Sequence, residues 1–148
     1  MAANQKLIID NEHIAEEFFE NCLMLGIVAP IKDYQFSWRL NQLLGFDFRI
    51  NNDIEIQLNK KKRIYFFCIF EYAIPSINLT HYLYNNQHDG EYLLPEFKHL
   101  DFLWLIKGDL ITIDELKTLI QAIKTLPGVQ LVTEMTNEKI KHKQHLIF

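Results

Sequence analysis

Apolar and polar positions alternate along this chain in two rhythms, and the rhythms assign most of its elements. Cys22-Leu23-Met24-Leu25-Gly26-Ile27-Val28 is a short apolar run closed by Ala29-Pro30, which predicts a strand with two buried faces. Ile54, Ile56 and Leu58 alternate with Glu55 and Gln57, the pattern of a half-buried strand. Ile64 to Tyr72 is apolar on both alternations and predicts a central strand. Ile77, Leu79, His81 and Leu83 alternate with Asn78, Thr80, Tyr82 and Tyr84. The turns between these three runs are short (Asn59 to Lys62, and Ile74-Pro75-Ser76), which predicts an antiparallel meander. Leu100 to Lys107 is a further apolar strand stopped by Gly108-Asp109, and Val129 to Met135 is the last. A short strand over Lys6 to Asp10 and a helical turn or two over Glu12 to Glu20 precede all of these.

The helical rhythm occurs twice. Phe36, Leu40, Leu43 and Leu44 follow the i, i+4, i+7, i+8 spacing of one helix face, with Asp33 as N-terminal cap and Gly45 as left-handed stop. Tyr34 and Trp38 flank that stripe. The second helix opens on Thr112-Ile113-Asp114-Glu115, a capping box, with Ile111 and Leu116 as its hydrophobic staple. Its buried stripe is Ile113, Leu116, Leu119 or Ile120, Ile123 and Leu126, and Pro127-Gly128 ends it. Asn85 to Gly90 is polar and predicts a mobile loop. The tail ends His145-Leu146-Ile147-Phe148, apolar enough to pack on the domain or on a second subunit. The sum is an α+β fold: a mostly antiparallel sheet with two main helices packed on one face, ferredoxin-like with additions.

Length and composition narrow the class. The 148 residues suit one domain, 1–148, with 1–6 expected to be flexible. A domain of this size buries roughly 70% of its unfolded surface and folds without disulfide or metal. Eleven Phe, six Tyr and two Trp predict a bulky core. The net charge of −4 argues against nucleic acid as partner, because a nucleic-acid binder normally presents a basic face. Lys60-Lys61-Lys62-Arg63 reads as a solvated hairpin turn, and Lys139 to Lys143 as a solvated tail. Cys22 and Cys68 sit in apolar runs without redox or zinc spacing, which reads as two buried structural thiols. No run approaches the roughly 18 apolar residues of a membrane span and no signal-peptide core opens the chain, so the expected location is cytoplasmic.

Catalytic motifs are not signalled. The five glycines do not repeat at phosphate-loop or dinucleotide spacing, and neither Ser37 nor Ser76 has a nucleophile-elbow context. No cofactor is implied. His142 and His145 are three apart, but their Lys-rich surroundings repel a cation, and the reading assigns no metal. What remains is the stretch Leu94-Pro95-Glu96-Phe97-Lys98-His99-Leu100-Asp101-Phe102. Two carboxylates stand there at the entrance to a buried strand. Glu96, His99, Asp101 and Lys107 form the candidate site. His99 and Asp101 have the i, i+2 spacing of one strand side, and act either as an acid/base pair or as a hydrogen-bonded strand entrance. Tyr34, Trp38, Arg39 and Phe148 form the candidate interface. Trp with Arg is a pairing enriched at binding hot spots, although a Trp at helical spacing from Tyr34 is more often core.

The same stretch resembles the signature of an uncharacterised bacterial family, the IPExxxVDY family. Pro95, Glu96 and Asp101 match, while Leu94, Leu100 and Phe102 stand where the signature has Ile, Val and Tyr. The resemblance extends to Ile31-Lys32-Asp33-Tyr34, Trp38, Leu43-Leu44-Gly45-Phe46-Asp47, Leu103 to Gly108, Leu126-Pro127-Gly128 and the apolar C-terminus, roughly residues 20 to 148. It implies no activity and no catalytic residues, and Phe102 lacks whatever the Tyr hydroxyl provides. In physical terms Pro95 fixes its own φ and biases Leu94 to extended backbone, while Glu96 and Asp101 are suited to accept backbone N–H bonds. Two functions follow. The first is a non-enzymatic binding or interaction domain, with itself as homodimer or another protein as partner and no membrane. The alternative is a small-ligand-binding protein or an enzyme with an acid/base site near Glu96, His99 and Asp101.

Overall fold

The computed structural model describes residue 14, residues 16–109 and residues 111–148. The expected strand over Lys6 to Asp10 lies outside the described residues. The elements in order are β1 (Cys22–Val28), α1 (Asp33–Leu44), β2 (Arg49–Lys60), β3 (Arg63–Ile74), β4 (Leu79–Asn85), the two-residue strands β5 (Gln87–His88) and β6 (Glu91–Tyr92), β7 (Phe102–Gly108), α2 (Ile113–Lys124) and β8 (Leu131–Met135). Among the described residues one six-stranded sheet runs β2-β3-β4-β7-β1-β8, and its neighbouring strands pair antiparallel. The fold is therefore α+β with a mostly antiparallel sheet.

Both faces of the sheet are covered, by different means. On one face Leu25 and Ile27 of β1, Leu83 of β4 and Phe102, Trp104 and Ile106 of β7 pack with Phe36 and Leu40 of α1 and Leu116 and Ile123 of α2. Phe36 is fully buried, a contribution of about 2–3 kcal/mol from its side chain. On the other face Met24, Leu103, Leu105, Tyr84 and Phe67 pack with Leu93, Leu94 and Leu100, and with Ile140 and Leu146 of the C-terminal tail. Irregular chain thus does for this face what helices do for the first. Gly26 lets it approach: a Cβ there would meet Leu100 Cδ1 at 2.5 Å.

Several local expectations change. Asp33 is the first residue of α1 and not its cap; the entry is closed by the Lys32 N–H donating to Gln35 Oε1 at 3.2 Å. Leu43 and Ile113 point to solvent, so the buried stripes of both helices are narrower than their periods suggest. Thr112 caps α2 by accepting from Glu115 N at 3.1 Å, and Gly45 ends α1 at φ 76°. β3 is central only in its second half. β4 pairs with Ile69–Ile74, so Ile64, Phe66 and Cys68 run past the end of β4 and are exposed. Cys68 is accordingly no buried thiol, and Cys22 is half-buried. The polar stretch 85–90 is not all loop: Asn85 ends β4, Gln87–His88 pair with β6 in a small hairpin, and Asn86 between them is fully buried.

Candidate functional site

Residues 94–102 form a 3₁₀ turn over Pro95–Phe97 and a bend before β7, which begins at Phe102 and not at Leu100. His99 and Asp101 therefore precede the strand, and the i, i+2 pairing does not arise. Asn86 organises the stretch. Its Nδ2 donates to Phe97 O at 2.9 Å and Leu100 O at 3.0 Å, and its Oδ1 accepts from Leu94 N at 2.9 Å. Its backbone N–H donates to Asp101 O, and its carbonyl accepts from Leu93 N. One buried amide thus fixes both ends of the turn, with its polar atoms fully used. Sequence reasoning missed it, because an Asn beside Asn85 and Gln87 reads as a loop residue.

The four candidate site residues are each engaged separately. Glu96 reaches the tail: Oε2 accepts from Lys141 N at 2.6 Å and His142 N at 2.9 Å, and Oε1 lies 2.9 Å from His142 Nδ1. Burial alone would raise its pKa. Hydrogen bonds from its own backbone N–H, the His142 ring and the His142 and Lys141 N–H groups outweigh that and hold the carboxyl below its ordinary value. Asp101 Oδ2 accepts from Ala29 N at 2.8 Å, while the Asp101 N–H donates to Ile27 O. It joins the end of β1 to the start of β7. Lys107 Nζ donates to Phe18 O at 2.6 Å and sits 3.6 Å from the centre of the Phe18 ring. His99 is exposed beside Phe97 and lines a small cleft with Met135 and Lys139. Asp101 instead lines a groove of about 380 Å³ with Asp33, Asn85, His88 and Asp89. The geometry disperses the four and makes Glu96, Asp101 and Lys107 acceptors or donors for backbone.

The interface candidates fare differently. Tyr34 and Trp38 stand one turn apart on α1 and are 61% and 60% exposed, so Trp38 is not core. Arg39 Nη1 donates to Pro127 O at 2.6 Å and ties α1 to the end of α2. Phe148 packs edge-on against Phe18 and tilted against Tyr82, with the tail on the opposite side of the sheet from α1. The Tyr84 hydroxyl donates to Leu146 O at 2.8 Å and anchors that tail.

No protein-family model matches the chain, and no curated protein matches it significantly. No helix among the described residues is long and apolar enough to cross a membrane.

A last polar group lies inside the sheet. His81 is buried among Phe46, Phe48, Tyr72 and Trp104, with its ring stacked on Tyr72. Burial lowers its pKa to about 4. Its alternating position in β4 was legible from sequence, but its aromatic enclosure was not.

Proposed function

We propose that this chain is an interaction domain, that it works by binding protein rather than by turning over a substrate, and that its partner is a second copy of itself. The observation that carries the reading is the half of the helix-side face that the helices leave bare. Trp104 stands opposite Leu83, and Leu83 opposite Phe70, all on the helix side. Two-residue steps back along β3 put Cys68, Phe66 and Ile64 on that same side. Ile50 of β2 stands opposite Phe70 and joins them. Ile50, Ile64 and Phe66 are 49%, 50% and 46% exposed. Tyr34 and Trp38 rise from α1 on this side and add aromatic area of the kind that dominates interface energetics. Charge favours a two-fold partner. At the hairpin tip Lys60 pairs with Glu91 and Arg63 with Asp89, with Lys61 and Lys62 between them, while at the base Arg49 pairs with Asp47 and stands beside Asp53 and Glu71. A two-fold axis across the hairpin sets the tip of one copy against the base of the other, an isologous contact.

Sedimentation equilibrium tests this with wild type and Phe66→Asp. The expected result is a dimer that the substitution converts to monomer, with the circular dichroism spectrum unchanged and a melting midpoint that no longer rises with protein concentration. A wild type that stays monomeric at its highest soluble concentration, or a dimer indifferent to Phe66→Asp, would sink the proposal.

Membership in the IPExxxVDY family is part of the same proposal. Its support is that Pro95 opens the 3₁₀ turn, while Glu96 and Asp101 accept backbone N–H bonds from the tail and from the end of β1. A ferredoxin-like assignment is proposed from the strand order β8-β1-β7-β4 with α1 and α2 on one side, β2 and β3 being the addition. A cytoplasmic location belongs with this reading.

A further inference from the structure

β8 ends at Met135 on one edge of the sheet. From there the chain crosses the face opposite the helices, and its 3₁₀ turn Lys143–Leu146 lies beside β2, the other edge. Among the described residues nothing after Met135 joins a strand ladder. The backbone bonds of this crossing segment are local: the Lys139, His145 and Ile147 N–H groups donate to Thr136 O, His142 O and Gln144 O. The rest of the chain holds it by hydrogen bonds at three points. Glu96 accepts from the Lys141 and His142 N–H groups and lies 2.9 Å from the His142 ring. Leu93 O lies 2.7 Å from His145 Nδ1, and the Tyr84 hydroxyl donates to Leu146 O at 2.8 Å. Ile140 and Leu146 are buried under the segment, and the Phe148 ring rests on Phe18 and Tyr82.

The dock stands without the segment that fills it. Asn86 bonds Leu93, Leu94, Phe97, Leu100 and Asp101, and none of those bonds involves a residue beyond 101. Tyr84 is fixed in β4 between β3 and β7. A preformed dock and a segment without ladder bonds can part while the sheet stays intact, which is the condition for a local opening.

We infer that residues 137–148 form a strap that leaves and re-enters this dock as one unit while the sheet remains folded, with Glu96 as its latch. Two successive N–H groups converge on one Glu96 oxygen, and such charge-assisted bonds are roughly twice as strong as neutral ones. The strap has no other carboxylate holding its backbone among the described residues. Closed, it spans the sheet from β8 to β2. Open, it frees the Tyr84 hydroxyl and the Leu93 carbonyl and uncovers the apolar face around them. The inference is independent of the dimer reading, whose contact lies on the helix side.

The test is native-state hydrogen exchange on the full chain, followed by nuclear magnetic resonance. The Lys141 and His142 amides should share one opening constant. Their protection should fall about 100-fold or more below that of Leu103 and Leu105, which are paired on both sides in β7 and open only with the sheet. Glu96→Gln should speed exchange of the two strap amides about 10-fold and leave the β7 amides unchanged. Tyr84→Phe, which removes the donor to Leu146 O, should speed the same two amides about 5-fold. Its readout stands even if Glu96→Gln fails to fold. Equal protection of strap and β7 amides in the wild type would overturn the strap. Variants that leave Lys141 and His142 unchanged, or that speed β7 by the same factor, would overturn the latch.

Discussion

Trp104 and His81 share a hydrogen bond across adjacent strands, the indole Nε1–H donating to His81 Nδ1 at 3.0 Å with both side chains buried. The bond needs His81 Nδ1 unprotonated. A proton there would set two donors against each other inside an aromatic shell. The folded ring titrates near 4 because burial disfavours its charge, against an ordinary value of 6.5. Between those values the unfolded chain holds more protons than the folded one, so stability falls as pH drops from about 6.5 toward 4. Over the whole window the loss is roughly 3 kcal/mol. Urea denaturation at a series of pH values, in wild type and His81→Gln, checks this. Gln keeps an acceptor for the indole and has no charge to gain, so the variant should lose less stability on acidification. Equal pH slopes for the two proteins would count against the account.

Asn86 makes three side-chain hydrogen bonds within the turn that carries Glu96. Asn86→Ala leaves Leu94 N, Phe97 O and Leu100 O to find other partners in a buried setting. The expected cost is about 3 kcal/mol, since each unsatisfied buried group costs roughly 1–3 kcal/mol and some relaxation follows. Asn86→Asp keeps the acceptor for Leu94 N but turns an oxygen toward two carbonyls, so it should also destabilise. A stability change under 1 kcal/mol for both, by chemical denaturation, would show that the turn does not depend on this amide.

What the sequence disclosed and what it withheld divide on physical grounds. Thr112 with Glu115 and the stop at Gly45 are local devices, set by residues within four positions, and both were legible. The strands of β1 and β7 were legible because their apolar character repeats on both faces. Asn86 was not, because its partners lie 8 to 14 residues away and depend on the β5–β6 hairpin. The exposure of Ile64, Phe66 and Cys68 was also hidden. An apolar run does not reveal that the neighbouring strand ends halfway along it. Glu96 and Asp101 were legible as acceptors for backbone. Their donors, Lys141 and His142 for one and Ala29 for the other, lie 45 to 72 residues away and could not be named.

Asp101 separates a bonding role from a charge role. Its Oδ2 accepts from Ala29 N, and asparagine retains an oxygen of that reach. Asp101→Asn should therefore cost little, under about 1 kcal/mol, while Asp101→Ala should cost about 1–2 kcal/mol from the orphaned Ala29 N–H. Thermal melts of the two variants give the comparison. If Asn proves as damaging as Ala, the charge of Asp101 matters to the groove it lines, and its role is not backbone bonding alone.

Gly108 and Gly45 both have positive φ, 129° and 76°, yet they should respond differently to alanine. A Cβ at Gly45 meets nothing within 4 Å, so Gly45→Ala carries only the backbone term, about 1 kcal/mol. A Cβ at Gly108 would lie 2.1 Å from the Asn78 carbonyl oxygen. That oxygen cannot retreat freely, because it also accepts from Asp109 N at 3.0 Å, and Leu79 is held opposite Gly108 in the β4–β7 ladder. Either the ladder end opens or the turn before β4 shifts. Gly108→Ala should therefore cost about 3 kcal/mol or more. Hydrogen exchange should localise the damage to the Leu79–Gly108 end of the two strands, leaving the Asn85–Phe102 end protected. A Gly108→Ala protein as stable as Gly45→Ala would mean that this end of the sheet is already loose.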